Sequence, residues 1–139
     1  MPFVKFFSEE IDFKLKKQRN TAAWIRLVIQ QEGGSLGDIS FIFCSDTYLH
    51  DINVEYLSHN TLTDIITFDN SEEAGVIQGD IFISIDRVKD NSLKFKTDFD
   101  DEIHRVIIHG ILHLIGYGDK SKAAKKQMRG KEDAYLSLR

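Results

Sequence analysis

Four short stretches of the chain are rich in β-branched and aromatic residues, which is the composition of strands. They cover residues 4–7, 39–44, 65–68 and 79–85. Apolar residues at intervals of three and four predict helices between and after them. These helices are expected from Thr21 to the Gly33-Gly34 pair, from Asp46 onward, over 86–95, and over about 121–138. Strands interleaved with helices favour an α/β or α+β fold, with a small mixed four-stranded sheet flanked by helices.

The most apolar part of the chain is predicted to be a buried helix. Between Val106 and Ile115, apolar residues occupy almost every side of a helix, which is typical of an element inside the core. Acidic residues crowd its predicted start, where the helix dipole favours negative charge: Asp98, Asp100, Asp101 and Glu102. Gly116 and Gly118 follow it, so we expect a sharp turn at its end.

His109 and His113 lie on this helix and carry the clearest chemical signal in the sequence. Side chains four residues apart project from one helix face and can hold one ion. A turn at the following glycines can bring Asp119 back toward them. Two imidazoles and one carboxylate leave a fourth position open, as in catalytic zinc sites. The alternative is that both histidines are core residues with other partners, because unsatisfied imidazoles are costly to bury.

Size and composition predict one ordinary globular domain spanning residues 1–139. The chain is 42% hydrophobic and 29% charged. No apolar run approaches the roughly 20 residues that span a bilayer, and the first residues lack the layout of a signal peptide. Cys44 is the single cysteine, so no intrachain disulfide is expected. These features favour a cytoplasmic protein with neither a membrane nor a disulfide partner.

Basic residues are concentrated directly after Asp119, although the net charge of the whole chain is −4. The segment from Lys120 to Lys131 contains no acidic residue. Its basic residues are Lys120, Lys122, Lys125, Lys126, Arg129 and Lys131. Such a run is either a solvated helix face or a patch for an anionic partner, and its position beside the predicted metal site favours the second interpretation.

The ligand pattern argues against an ordinary zinc peptidase. In the peptidase motif a glutamate follows the first histidine and acts as general base, whereas this chain has Gly110 there. A metal-bound water can still be a nucleophile, since coordination lowers its pKa toward about 7. Asp64 and Asp80 are candidate catalytic carboxylates, and each could equally be a capping or turn residue.

The segment His-Gly-Ile-Leu-His-Leu-Ile-Gly-Tyr at 109–117 resembles the signature of the YbeY family, metal-dependent endoribonucleases of bacterial rRNA maturation. The segments at 53–56, 63–68 and 79–84 are also similar to family blocks, in the same order. The resemblance covers about residues 50–120. It implies a single α/β domain with the metal helix packed beside a small sheet.

The chain departs from the family pattern at three positions. Asp119 stands where the family usually has a third histidine ligand, which lowers the positive charge of the loaded site and suits harder ions such as Mn²⁺. Leu57 replaces an arginine associated with RNA binding or catalysis, a role that nearby His59 could take over. Leu62 replaces the usual proline.

The leading hypothesis is therefore a single-strand-specific endoribonuclease of rRNA processing that uses one Zn²⁺, or another divalent ion, and an activated water. His109, His113 and Asp119 would bind the metal; Asp64, Asp80 and His59 are the candidate catalytic residues; and Lys120, Lys122, Lys125, Lys126 and Arg129 would bind RNA. Ribosomal RNA, the ribosome or assembly factors are the expected partners. The alternatives are a non-catalytic, metal-stabilised ribosome-assembly factor and, more remotely, a non-haem Fe(II) enzyme.

Overall fold

The strands and helices of the computed structural model follow the predicted alternation. The structure describes residues 2–58 and 63–139. The strands are β1 (Val4–Glu9), β2 (Ser35–Cys44), β3 (Ile65–Asp69) and β4 (Val76–Ser84). The helices are α1 (Gln18–Gln31), α2 (Asp46–Leu57), α3 (Ile85–Lys94), α4 (Phe99–Ile115) and α5 (Lys122–Leu136).

The four strands form one mixed sheet in the order β1-β2-β4-β3. The pairs β1–β2 and β2–β4 are parallel, whereas β3 runs antiparallel to β4. Parallel neighbours need long crossover connections, and α1 supplies the crossover from β1 to β2. The α/β fold and the small mixed four-stranded sheet predicted from the sequence are confirmed.

Helices cover both faces of the sheet. On β4, Gly79 and Ile81 face α4, since a side chain on Gly79 would meet Leu114, and Ile81 lies against Gly110. The other face of the sheet packs against α2 through a second cluster of buried residues that includes Leu49. This arrangement fixes α4 across the sheet next to β3 and β4 and positions its polar side chains.

The predicted burial of the metal helix is confirmed. Most apolar residues of α4 are buried within the main core, among them Ile107, Ile108 and Ile111. Asp98 caps its first turn by accepting a hydrogen bond from the Asp100 backbone N–H at 2.8 Å. Burial of this length of helix fixes the backbone from which His109 and His113 project.

Some boundaries differ from the sequence prediction. Helix α1 begins at Gln18 instead of being capped by Thr21, whose hydroxyl bonds back to the Lys17 carbonyl inside the first turn. Ile85, predicted at the end of a strand, is the first residue of α3, because Ser84 caps that helix. Within the described residues, no helix is both long and apolar enough to cross a membrane, and Cys44 is a buried free thiol.

Candidate metal centre

The structure brings together the three predicted ligands. His109 and His113 lie one turn apart on α4, with ring centroids 4.4 Å from each other. Their Nε2 atoms lie 3.3 Å and 3.4 Å from the same oxygen of Asp119. One potential ligand atom from each of the three residues falls within 4.8 Å of the others. All three side chains are partly exposed, so the cluster can be reached from outside.

The turn after α4 explains how Asp119 reaches the helix face. Gly116 has a φ of 127°, a conformation that side-chain-bearing residues rarely adopt. The backbone N–H groups of Gly116 and Tyr117 both donate to the Leu112 carbonyl, which closes the turn. The sequence correctly predicted this turn, although Gly118 does not have the positive φ that would require glycine.

The ring orientation of His113 is set by a main-chain carbonyl. Its Nδ1 lies 2.9 Å from the Tyr117 carbonyl oxygen. Because a carbonyl oxygen only accepts, Nδ1 must carry the proton, which leaves the Nε2 lone pair directed toward Asp119 in the neutral ring. Tyr117 is itself held in place, because its hydroxyl donates to the Glu32 carboxylate at 2.5 Å.

The ring orientation of His109 is set by a buried carboxylate. Its Nδ1 donates to Glu132 at 2.6 Å, and the other oxygen of Glu132 accepts from Arg105 at 2.9 Å. Glu132 is only 5% exposed, and a carboxylate behind a histidine is a common arrangement at metal sites. Sequence reasoning missed Glu132. It shares the buried face of α5 with Met128 and Tyr135, and a charged residue at such a core-facing spacing is the signal that could have revealed it.

The donor chemistry fits a divalent cation. In the neutral tautomers, two nitrogen lone pairs face one carboxylate oxygen, which is repulsive unless a cation or protons lie between them. Burial disfavours the charged form of His109, but the hydrogen bond and charge of Glu132, with Asp64 and Asp119, outweigh it and raise the pKa of His109. Carboxylates thus favour a positive charge at this point, and two nitrogens with one oxygen are a suitable ligand set for zinc.

Two cavities open onto the cluster, one on each side. The first, here named the α5 cavity, has a volume of about 350 Å³ and lies toward α3 and α5. The second, here named the α2 cavity, has a volume of about 630 Å³ and lies toward α2 and β3. His109, Asp119 and Asp64 line both cavities. An elongated bound molecule could therefore extend from one cavity to the other past the three predicted metal-binding residues.

The structure places only one of the two candidate carboxylates at this site. Asp64 lines both cavities, and burial raises its pKa, partly offset by the charge of His109. Asp80 lines neither cavity. It projects from the face of β4 opposite Gly79 and Ile81, which face α4, and it accepts a hydrogen bond from Asn70. His59, the third catalytic candidate, lies outside the described residues.

The basic run divides into two groups. Lys125 and Arg129 line the α5 cavity, and Lys120 lines the α2 cavity. Lys122 and Lys126 are exposed but line neither cavity. The structure thus brings three of the five predicted RNA-binding side chains to the site and leaves two on the outer face of α5.

The structure shows the surroundings of two residues, Gly110 and Leu57, at which the chain departs from known motifs. Gly110, at the position of the peptidase glutamate, faces the sheet, and even a Cβ there would lie 2.9 Å from the Ile65 side chain. A glutamate at that position would therefore point into the core. Leu57 lines the α2 cavity, so an apolar side chain stands where the family pattern has an arginine.

Two histidines and one aspartate between two open cavities, on a small α/β domain, form the kind of site used by metal-dependent hydrolases. The Endoribonuclease YbeY family model matches residues 4–138, and the chain belongs to that family. This result confirms the family resemblance and favours the nuclease hypothesis over both alternatives.

Relatives named Endoribonuclease YbeY align with nearly the whole chain. The protein of Cytophaga hutchinsonii is 50% identical over 136 residues, which cover 98% of this chain and 95% of the relative. That of Christiangramia forsetii is 50% identical over 135 residues, covering 97% and 93%. The solution structure of a Thermotoga maritima protein superposes with a TM-score of 0.67 at 25% identity, covering 96% of this chain and 87% of that protein.

Proposed function

We propose that the chain, as a single domain over residues 1–139, is a metal-dependent endoribonuclease that cleaves single-stranded ribosomal RNA during ribosome maturation in the cytoplasm. The observation that carries this proposal is the convergence of His109, His113 and Asp119 between two open cavities with cations at their edges. Membership of the Endoribonuclease YbeY family supports the reaction class.

His109, His113 and Asp119 would hold the ion through two nitrogens and one oxygen. Zn²⁺ is the preferred candidate because imidazole suits it, and the carboxylate makes Mn²⁺ a reasonable substitute. Such an ion would supply Lewis acidity, polarising a phosphate oxygen and lowering the pKa of water. Glu132 and the Tyr117 carbonyl keep both rings in the tautomer that presents Nε2.

Cations of the chain would hold the RNA backbone on both sides of the site. Lys125 and Arg129 serve the α5 cavity and Lys120 the α2 cavity, each as a phosphate contact. Lys120 supplies a positive charge in the cavity that Leu57 also lines, so it is our candidate for the role of the missing arginine.

Asp64 is the candidate proton-transfer residue. It lines both cavities beside His109 and Asp119. This position suits a group that accepts a proton from the attacking water and delivers it to the leaving oxygen of the phosphodiester.

The decisive experiment combines metal analysis with cleavage of a single-stranded RNA. His113→Ala should lose tightly bound metal and cleavage together. The double variant Lys125→Glu/Arg129→Glu should retain the metal but lose RNA affinity. A plot of the logarithm of the binding constant against the logarithm of the salt concentration should also become less steep, by roughly the amount expected for the loss of two phosphate contacts. Lys122→Glu/Lys126→Glu is the matched control, because it makes the same charge change on the same helix outside the cavity.

Two results would contradict this proposal. Purified, metal-loaded protein that cleaves no single-stranded RNA under conditions in which a relative does so would exclude the nuclease activity. Equal loss of affinity in both double variants would show that only the overall charge of α5 matters, and that the α5 cavity does not guide the RNA.

A further inference from the structure

An exposed aromatic ring stands at the edge of the α5 cavity. Phe95 ends α3, is 60% exposed, and lines the cavity together with His109 and Asp119. What sets this ring apart from exposed apolar side chains such as Leu93 is that it lines a cavity next to the candidate metal centre. Asn91, one helical turn earlier, lines the same cavity and offers an amide.

Both cations and carboxylates line this cavity. The carboxylates are those of Asp64, Glu102, Asp119 and Glu132, and Glu132 is already paired with Arg105 and His109. Lys125 and Arg129 line the same cavity from α5, and no described carboxylate lies within ion-pair distance of either. Lys94 places its ammonium 5.5 Å from the centroid of the Phe95 ring. A flat apolar surface flanked by several cations is complementary to one nucleotide, with its apolar base face and its anionic phosphate.

We propose that Phe95 is a stacking platform for one unpaired base of the RNA substrate, with the adjoining phosphate held by Arg129 and Lys125. This subsite deepens the proposed function and rests on it. Every base offers a π-face, so the platform accepts single-stranded RNA of many sequences. A paired base is unavailable for stacking within a duplex, so Phe95 also provides a physical reason for preferring single strands.

The test measures steady-state cleavage of a short single-stranded RNA by the full-length, metal-loaded chain. Phe95→Leu keeps an apolar side chain but removes the ring, and should lower kcat/KM about ten-fold. Phe95→Trp should restore it. Leu93→Ala is the matched control, because Leu93 is 77% exposed on the same helix but does not line the cavity, and it should leave kcat/KM unchanged.

A second readout separates stacking from a structural effect. One abasic nucleotide is moved stepwise along the RNA. When the abasic nucleotide occupies the position of the stacked base, wild-type cleavage should become slower. The difference in cleavage rate between wild type and Phe95→Leu should then disappear, because the base that stacks is missing. A 2-aminopurine at that position should be quenched on mixing with wild type and not with Phe95→Leu.

The outcomes distinguish this inference from the proposed function. If wild type cleaves RNA and Phe95→Leu cleaves it equally well, or if no abasic position removes the difference, the platform is wrong while the nuclease stands. If wild type cleaves no RNA, the proposed function itself is wrong.

Discussion

Replacing Glu132 with glutamine tests whether the metal centre is organised from α5. Glu132 is almost fully buried and joins His109, through a 2.6 Å hydrogen bond, to Arg105 at 2.9 Å. Glutamine has the same shape and can still accept from the imidazole, but it carries no charge. The substitution therefore weakens the electrostatic support of His109 without opening a cavity in the core.

The expected effect is a 10- to 100-fold loss of metal affinity, which is the typical result of removing a partner of a ligating histidine. This corresponds to about 1.4–2.7 kcal/mol. Asp133→Asn is the matched control. Asp133 accepts from the same Arg105 at 2.6 Å but is exposed and does not contact His109. Losing that surface ion pair should lower the free energy of unfolding by about 1 kcal/mol or less and leave metal affinity unchanged.

Metal affinity is measured by competition with a chromophoric chelator at fixed pH, and unfolding by urea with and without Zn²⁺. Saturating metal stabilises a folded protein according to its affinity, so the stabilisation by Zn²⁺ should shrink in Glu132→Gln by the same 1.4–2.7 kcal/mol or so. Wild-type affinity in Glu132→Gln, or an equal loss in Asp133→Asn, would refute the role of Glu132 in organising the site.

Substitutions at three other positions give separate tests. Asp119→His should retain zinc and cleavage, with a pH–rate profile displaced to lower pH because a neutral ligand leaves more charge to act on the attacking water, whereas Asp119→Ala should lose both. Asp64→Asn should keep zinc affinity within a few-fold but lower kcat by about 10²–10⁴, the usual contribution of a proton-transfer group. Glu32 is partly desolvated, but hydrogen bonds from Tyr117, Tyr135 and Lys131 prevail and lower its pKa from 4.5. Its contribution to stability is therefore present above pH 4.5 and lost as the pH falls through the lowered value, so urea unfolding of wild type and Glu32→Gln should differ at pH 7 and converge in acid.

The clustering of the three candidate ligands could be predicted because it depends on local structure. A helical repeat places His109 and His113 on one face, and a glycine with positive φ makes the turn toward Asp119. Both signals lie within a segment of 11 residues, from 109 to 119. Local geometry of this kind is set by backbone conformation, so no knowledge of the distant chain is needed.

The supporting contacts could not be predicted because they depend on tertiary packing. The partner of His109 is Glu132, 23 residues later, and the side chain that holds Tyr117 is Glu32, 85 residues earlier. The direction in which Asp80 projects could not be predicted for a related reason. Both faces of β4 are covered by helices, so Ile81 and Phe82 are both apolar and the alternation that would show which way Asp80 points is absent.

Independent anchoring of the two imidazoles would allow an aspartate to serve as the third ligand of a metal ion. The Tyr117 carbonyl fixes His113 and Glu132 fixes His109, so the protein determines both tautomers and two ligand directions. The third ligand then needs only to place one oxygen near both Nε2 atoms, and Asp119 does so at 3.3 Å and 3.4 Å from the turn. The helix that carries both rings packs in a hydrophobic core through residues that include Ile107 and Ile111, so we expect that folding does not depend on the ion as it does in a zinc finger. We therefore expect that metal binding would add to the stability of a site that is already formed, and that a change of charge at position 119 would alter the chemistry of the site without disturbing the fold.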